Sequence, residues 1–301
     1  MFHVEHTAKI SVENCPLCQQ SHYVTYLELD DYFLTNENFS ILKCTNCGLL
    51  RTNPQPSPDV IGQYYDSPDY ISHSIGNKSI KEIIYDLIRK RTLSSKLNIL
   101  NKYSKGNRLL DIGCATGVFL NYCQQNGYSV NGVEPDEKCR IYAALNFNIQ
   151  VDTLESLVNF PENSFDVITM WHVLEHVSDI NERMSVIKRL LTPDGVLIVA
   201  LPNPESFDAN HYGKYWAAFD VPRHLFHFTK ETFRKLCAIH AFEVINIIPM
   251  IYDSYYISLL SEKYMNGKTS FLKAFLVGLK SNLKARNNTN HSSIIYIIRN
   301  K

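Results

Sequence analysis

Net charge is the first thing missing from this 301-residue chain. Its 30 Lys and Arg are matched by 30 Asp and Glu, so no global field draws it toward nucleic acid. Also missing is any run of about 18 apolar residues, which excludes a helix that spans a bilayer. The opening MFHVEHTAKISVENC lacks the apolar core of a signal peptide, and the expectation is a cytoplasmic protein. Acidic residues run out near the end, where Lys263 to Lys301 holds eight Lys and Arg and no Asp or Glu. What remains, 45% hydrophobic and 20% charged residues, describes a globular protein with room for one large α/β domain and a small appendage.

Eight cysteines in an intracellular chain argue against a disulfide framework. Cys114, Cys123, Cys139 and Cys237 are scattered and read as small buried hydrophobes. The other four make two pairs, CPLC and CTNC, so that Cys15, Cys18, Cys44 and Cys47 enclose a 25-residue insert. Four thiolates supply the closed tetrahedral shell of a structural Zn²⁺, and Pro16 and Gly48 suit the tight turns that present them. With strand-like HYVTYLEL and FSILKC in the insert, residues 1–56 read as a zinc ribbon that the metal folds. Residues 57–106 read as a connector with Tyr64, Tyr65 and Tyr70, then a helix from about Lys78 to Leu100. That helix packs on the domain, or one of the tyrosines closes over a ligand site.

From 107 to 301 strands alternate with helices: RLLDI, SVNGVE, NIQVD, FDVITMW and GVLIVAL, with helices opening near Val118, Asp136, Asp179 and Lys230. This pattern predicts an α/β fold, a mostly parallel sheet covered on both faces. The loop after its first strand lies at the topological switch point, where such sheets bind ligands. Its spacing, Asp111-x-Gly113-x-Ala115-x-Gly117, does not fit the dinucleotide fingerprint G-x-G-x-x-G. Asp111 at the strand end would repel a pyrophosphate but suits a ligand with an ammonium and a sulfonium. This disfavours an NAD-dependent oxidoreductase. Glu134 closes the second strand and can accept both hydroxyls of a ribose.

LLDIGCATG, VNGVEPD, FDVITMWHVLEHV and LLTPDGVLIVALPN, in order and at normal spacing, resemble four motifs of the class I S-adenosylmethionine-dependent methyltransferases. The likeness covers about 107 to 250, with Ala115 in place of the family's middle loop glycine. It implies a Rossmann-like seven-stranded sheet with an antiparallel last strand, FEVINIIPM and SSIIYIIRNK being the last two. It also implies that Asp111 and the loop of Gly113, Cys114, Ala115 and Gly117 handle the methionine end. Glu134, with Pro135 beside it, would take the ribose, Thr153 and Leu154 would border the adenine, and Trp171 and His172 would floor the site near the sulfonium. A subgroup with a four-cysteine ribbon before this core is similar to enzymes that methylate quinones, sugars and other secondary metabolites.

The resemblance places acceptor contacts after the fifth strand, in NPESFDANHYGKYWAAFDVPRHLFHFT. His224 is the candidate base, an imidazole suited to proton removal near neutral pH. Asp220, Arg223 and His227 are candidates for holding substrate; Arg223 could instead pair with Asp220, and His227 could pack or cap the helix at Thr229. HVLEH, from His172 to His176, matches the H-x-x-E-H of certain zinc peptidases, but it follows a strand directly instead of lying within a long helix. Some quinone methyltransferases hold Mg²⁺ with a similar triplet headed by a carboxylate, which His172 replaces. Glu175 and His176 therefore read as a capped helix start with a histidine beneath the loop.

Residues 251–292 form a basic insert between the last two strands. Within it 271–286 can form a helix with Phe271, Phe275, Leu279 and Leu283 on one side and Lys273, Lys280 and Lys284 elsewhere. This predicts a lid, a homodimer contact or peripheral contact with an anionic membrane. The leading function is methylation of a small molecule. The alternative, an RNA-binding or RNA-modifying methyltransferase docked by its ribbon, is disfavoured by the neutral charge, the acidic insert LELDDYFLTNENF and the absence of base-methylating signatures.

Overall fold

The computed structural model describes residues 9–11, 13–65 and 80–301, with side chains in the last stretch described from 89 onward. Tyr70 lies outside these residues. In the ribbon, β1 (Lys9–Ile10) meets a later strand, while β2 (Tyr23–Asp30), β3 (Asn38–Cys44) and β4 (Leu50–Asn53) form an antiparallel sheet. Strand β3 alternates over its first half, burying Phe39 and Ile41 between exposed Asn38 and half-buried Ser40 and Leu42, the period of a one-sided sheet. Gly48, at φ 83, turns the second cysteine knuckle in the left-handed region. The β1 partner is β5 (Gln55–Pro56).

Helix α1 (Ile80–Tyr103) leads into the alternating part: β6 (Arg108–Ile112), α2 (Val118–Gln125), β7 (Ser129–Val133), α3 (Glu137–Phe147), β8 (Phe165–Trp171), α4 (Ile180–Leu190) and β9 (Leu191–Pro202). Several of the helices start at polar caps. Asp136 accepts from the Cys139 amide and Asp179 from that of Glu182. After α5 (Phe207–Tyr212) and β10 (Phe226–His227), Thr229 and Thr232 cap α6 (Lys230–Ile239) reciprocally. Strand β11 (Phe242–Pro249), helices α7 (Asp253–Asn266) and α8 (Phe271–Asn288), and β12 (Ser293–Asn300) close the chain.

The central sheet has the order β11-β12-β9-β8-β6-β7. Strands β6 to β9 run parallel, and β12 enters antiparallel between β9 and β11, pairing Ile297 with Ile198. Residues 195–202 of β9 are buried without interruption, as a strand covered on both faces requires. The seventh strand expected at NIQVD is reduced to one parallel bridge, Val133 to Asp152. Asn148 ends α3 at φ 55 and Thr153 already opens a 3₁₀ turn, so too few residues lie between them for a strand. The sheet is therefore six-stranded.

The ribbon does not stop at its own boundary. Strand β10 pairs antiparallel with β4, and Cys15, Cys47 and Leu49 share one apolar cluster with Met184, Ile187, Phe228 and Phe233. On the opposite face of the sheet, Leu97 and Leu100 of α1 pack with Leu109, Phe119 and Leu120. Helix α8 turns inward the small residues Ala274, Gly278, Ser281 and Ala285, and leaves Leu272, Phe275, Leu276 and Leu283 exposed. A side chain at Gly278 would meet the Ser254 backbone at 3.1 Å, so close helix approach decides which face of α8 packs.

Candidate active site

Asp111 lies one residue before the end of β6 and is buried, with one carboxylate oxygen accepting the Thr169 hydroxyl at 2.6 Å. Burial pushes its pKa up to about 7, against the lowering pull of Thr169 and Lys96. The loop that follows needs unusual backbone. Gly113 is at φ 72, and a side chain there would strike Val173 at 2.5 Å. Ala115 is held at φ 47, a left-handed conformation that costs a residue with a Cβ about 1–2 kcal/mol. The amides of Gly113 and Cys114 donate to the Val133 carbonyl, that of Gly117 to Cys114, and that of Ala115 to Glu134 Oε2 at 2.9 Å. All four amides have partners within the protein, three of them backbone carbonyls and the fourth the Glu134 side chain. What the loop offers is a carboxylate and close backbone approach, a setting for a cation and not a phosphate.

Glu134 follows β7, buried, its second oxygen accepting from the Asp136 amide at 3.0 Å. Burial raises its pKa, opposed by those two backbone bonds. Pro135 and Thr153 lie exposed beside it, with Leu154 half-buried. Trp171 stands edge-on to Phe119, and the Lys96 ammonium sits 4.2 Å from the centre of its ring. Burial lowers the Lys96 pKa, opposed by the charges of Asp111 and Asp253. Nothing local in the sequence marks Lys96; only the packing of α1 brings it here.

His172, at φ 58, is held between two carboxylates. Its Nε2 lies 3.0 Å from Asp253 and its Nδ1 3.3 Å from Glu175. Burial works against the charged ring, but the two carboxylates outweigh it and raise the pKa to about 10. Glu175 and His176 occupy a short 3₁₀ turn after β8, and the Leu225 amide donates to the Glu175 carbonyl at 2.7 Å, tying this turn to the predicted acceptor segment.

Arg223 is buried and held within the protein. Its guanidinium pairs with Asp31 of the ribbon at 2.6 Å and with Asp220 at 2.8 Å, and also donates to the Tyr64 carbonyl. His227 does not cap α6, a task Thr229 performs itself. Its Nε2 lies 3.0 Å from the Thr52 hydroxyl, and burial lowers its pKa to about 3. His224 is buried with Nδ1 2.9 Å from the Ala218 carbonyl, and burial with the neighbouring His176 holds its pKa well below the usual value. Glu175, Trp216, His224, Phe226 and His227 line one narrow cleft. His211 lies outside it, stacked on Phe207. Away from the cleft, Cys15 Sγ lies 3.4 Å from Cys47 Sγ and Cys18 Sγ 3.5 Å from Cys44 Sγ, all four sulfurs being within 4.8 Å of one another.

A Rossmann-like α/β domain with a carboxylate-ended first strand, a tight loop and an antiparallel β12 is the class I methyltransferase architecture. The family described as a methyltransferase domain matches residues 85–247, more than half of the chain, and the chain belongs to it. Among curated relatives, the ubiquinone biosynthesis O-methyltransferase of Sinorhizobium fredii is 35% identical over 106 residues, covering 33% of this chain and 42% of that protein. The enzyme of the same name from Neisseria meningitidis serogroup C is 30% identical over 114 residues, covering 34% and 48%. The chain thus spans less than half the length of these relatives. A solved geranyl diphosphate C-methyltransferase from Streptomyces coelicolor shares the fold at a TM-score of 0.53 and 15% identity, over 81% of this chain and 97% of that one.

Proposed function

We propose that the protein transfers a methyl group from S-adenosylmethionine to a hydroxyl of a small molecule, of the quinone, sugar or other secondary-metabolite class. The observation that carries this reading is Asp111, a buried carboxylate beside a loop whose amides are already bonded. In such a site a sulfonium zwitterion fits better than a diphosphate. Asp111 would take the methionine ammonium, Lys96 the methionine carboxylate, and Glu134 the ribose hydroxyls, with Thr153 and Leu154 at the adenine. The bound cofactor supplies an electrophilic methyl, whose transfer to oxygen leaves a neutral thioether. The chain contributes placement of the acceptor against that methyl and a route for the hydroxyl proton. His224 is the side chain we assign to activating the acceptor. Its Nδ1–H is committed to the Ala218 carbonyl, so its Nε2 keeps a lone pair. The relatives named for ubiquinone biosynthesis favour a phenolic oxygen as acceptor.

Zn²⁺ in the four-cysteine cluster is part of the same proposal. Sulfurs between 3.4 and 4.8 Å apart match a tetrahedron of bonds of about 2.3 Å, and two cysteine knuckles present them. We assign it a structural role, and we assign α8 to contact with an anionic lipid surface in a cytoplasmic setting. No described helix is long and apolar enough to cross a membrane.

Calorimetry with S-adenosylhomocysteine and with NAD tests the cofactor assignment. Binding of the first and not the second is expected, and the reverse would overturn it. Incubation of a metabolite extract with labelled methyl donor then identifies the acceptor.

A further inference from the structure

We propose that the four-cysteine cluster is an interdomain metal site, in which Arg51 of the ribbon and Lys235 of the methyltransferase domain balance the charge of the ion and its thiolates. The domain thereby sets how firmly the ribbon holds its metal, a role that rests on the zinc assignment above.

A divalent ion on four thiolates carries a net double negative charge. Cys15 and Cys44 are fully buried and Cys47 nearly so, which leaves water little part in offsetting that charge. Arg51 is the complementary case. It is 2% exposed, yet among the described residues it pairs with no carboxylate, whereas the equally buried Arg223 meets Asp31 and Asp220. Its Nε is buried without a hydrogen-bond partner. A guanidinium shut away from water is costly unless negative charge lies near it.

The cysteine cluster supplies that charge. Nη1 of Arg51 donates at 3.0 Å to the carbonyl of Asn14, the residue before Cys15, and at 3.2 Å to the Tyr23 hydroxyl. Tyr23 stands opposite Cys44 in the β2–β3 pairing. Burial raises the pKa of its hydroxyl, Arg51 lowers it, and the charges of Cys15 and Cys44 raise it, so cation and thiolates act on the same group. The guanidinium also lies 5.6 Å from the centre of the Phe226 ring, its partner in the β4–β10 pairing. Phe226 lines the cleft around His224, so the cluster's counter-charge is packed against the cleft wall.

Lys235 reaches the cluster from α6. Its Nζ donates to the Cys47 carbonyl at 3.1 Å and pairs with Glu231 at 2.7 Å. That pairing raises its pKa, and the charges of Cys47 and Cys18 add to the rise. Helix α4 holds the other knuckle. Asn181 Nδ2 donates to the Pro16 carbonyl at 2.9 Å, and the amide oxygen lies 2.9 Å from Nε2 of His240. Both knuckles are therefore anchored by side chains of the methyltransferase domain, and such outer partners orient metal ligands and tune their affinity. Loading converts a dication and four thiols into a dianionic cluster and four released protons. A cation beside that cluster favours the loaded state, and its removal favours loss.

The test mixes the zinc-loaded full chain with an excess of a chromophoric chelator and reads the rate of zinc release from absorbance. Arg51→Met and Lys235→Met should each release zinc roughly tenfold faster than the wild type, as expected for losing a side chain that supports a metal ligand. Arg51→Lys, which keeps the charge and loses the fork, should fall between Arg51→Met and the wild type. Added salt should speed release from the wild type and change Lys235→Met less, because Lys235 is exposed enough to be screened. Circular dichroism identifies a variant that fails to fold, and if Arg51→Met is one, the surface variant Lys235→Met decides. Wild-type release rates in folded Lys235→Met or Arg51→Met would overturn the proposal. A wild-type chain that carries no zinc and shows no thiolate charge-transfer absorption after Co²⁺ loading would overturn the zinc assignment, and the proposal with it.

Discussion

Asp111 is about half protonated near neutrality in the free protein, since its pKa stands at about 7. A cationic ligand beside it favours the ionised form, so binding should expel a proton. The affinity for S-adenosylmethionine should therefore rise with pH between about 6 and 8, and Asp111→Asn should bind weakly with no such slope. Calorimetry in buffers of different ionisation enthalpy reads the released proton directly. Lys96→Met should weaken the same binding roughly tenfold to hundredfold, the loss of one charge-assisted hydrogen bond. A different kind of failure is expected at Arg223, which is 2% exposed and faces the fully buried Asp31. Arg223→Met strands that carboxylate and should cost about 3–5 kcal/mol in urea unfolding, while cofactor affinity in the folded fraction is kept. Asp111, Glu134 and the cysteine pairs could be named from the chain because each sits at a strand end or in a turn of fixed spacing. Lys96, Asp31 and Asp253 could not, because each reaches the site from an element whose own pattern says nothing about chemistry.

At the scale of elements, helix α8 shows how far periodicity leads and where it stops. The spacing of Phe271, Phe275 and Leu283 marks a helix, and a helix is there. Yet the face that packs is the one with Ala274, Gly278 and Ser281, because α7 approaches too closely for anything larger. The large apolar side chains then remain exposed in a stretch rich in Lys and Arg and without acid, which suits anionic lipid. The full chain should float with anionic liposomes at low salt and not with neutral ones, and Phe275→Ser with Leu276→Ser should abolish flotation. Concentration-dependent dimerisation without flotation would assign that face to a second copy instead. NIQVD shows the opposite limit. Its alternation looks like a strand, but a helix cap at Asn148 and a turn at Thr153 leave room for one bridge only.

In the molecule as a whole, the ribbon and the methyltransferase domain are bound through shared structure. Strand β10 extends the ribbon's sheet, Thr52 meets His227, and Arg223 joins Asp31 to the acceptor segment. If the cysteine cluster holds the proposed Zn²⁺, chelation should therefore lower the melting temperature of the entire chain in one transition and disorder the cleft around His224 with it. An early melt of the ribbon alone, with the domain's transition unmoved, would show that the two are uncoupled.

The fold class, the helix starts, the cofactor loop and the paired cysteines were set by local rules: strand and helix periods, capping residues, and the spacing of ligands across a turn. Such rules act over a few residues and can be read along a line. Which carboxylates flank His172, which cation stands over Trp171 and which face of α8 stays exposed were decided by packing between residues far apart in the chain. Burial and hydrogen-bond satisfaction are properties of a volume, and only the folded chain has one.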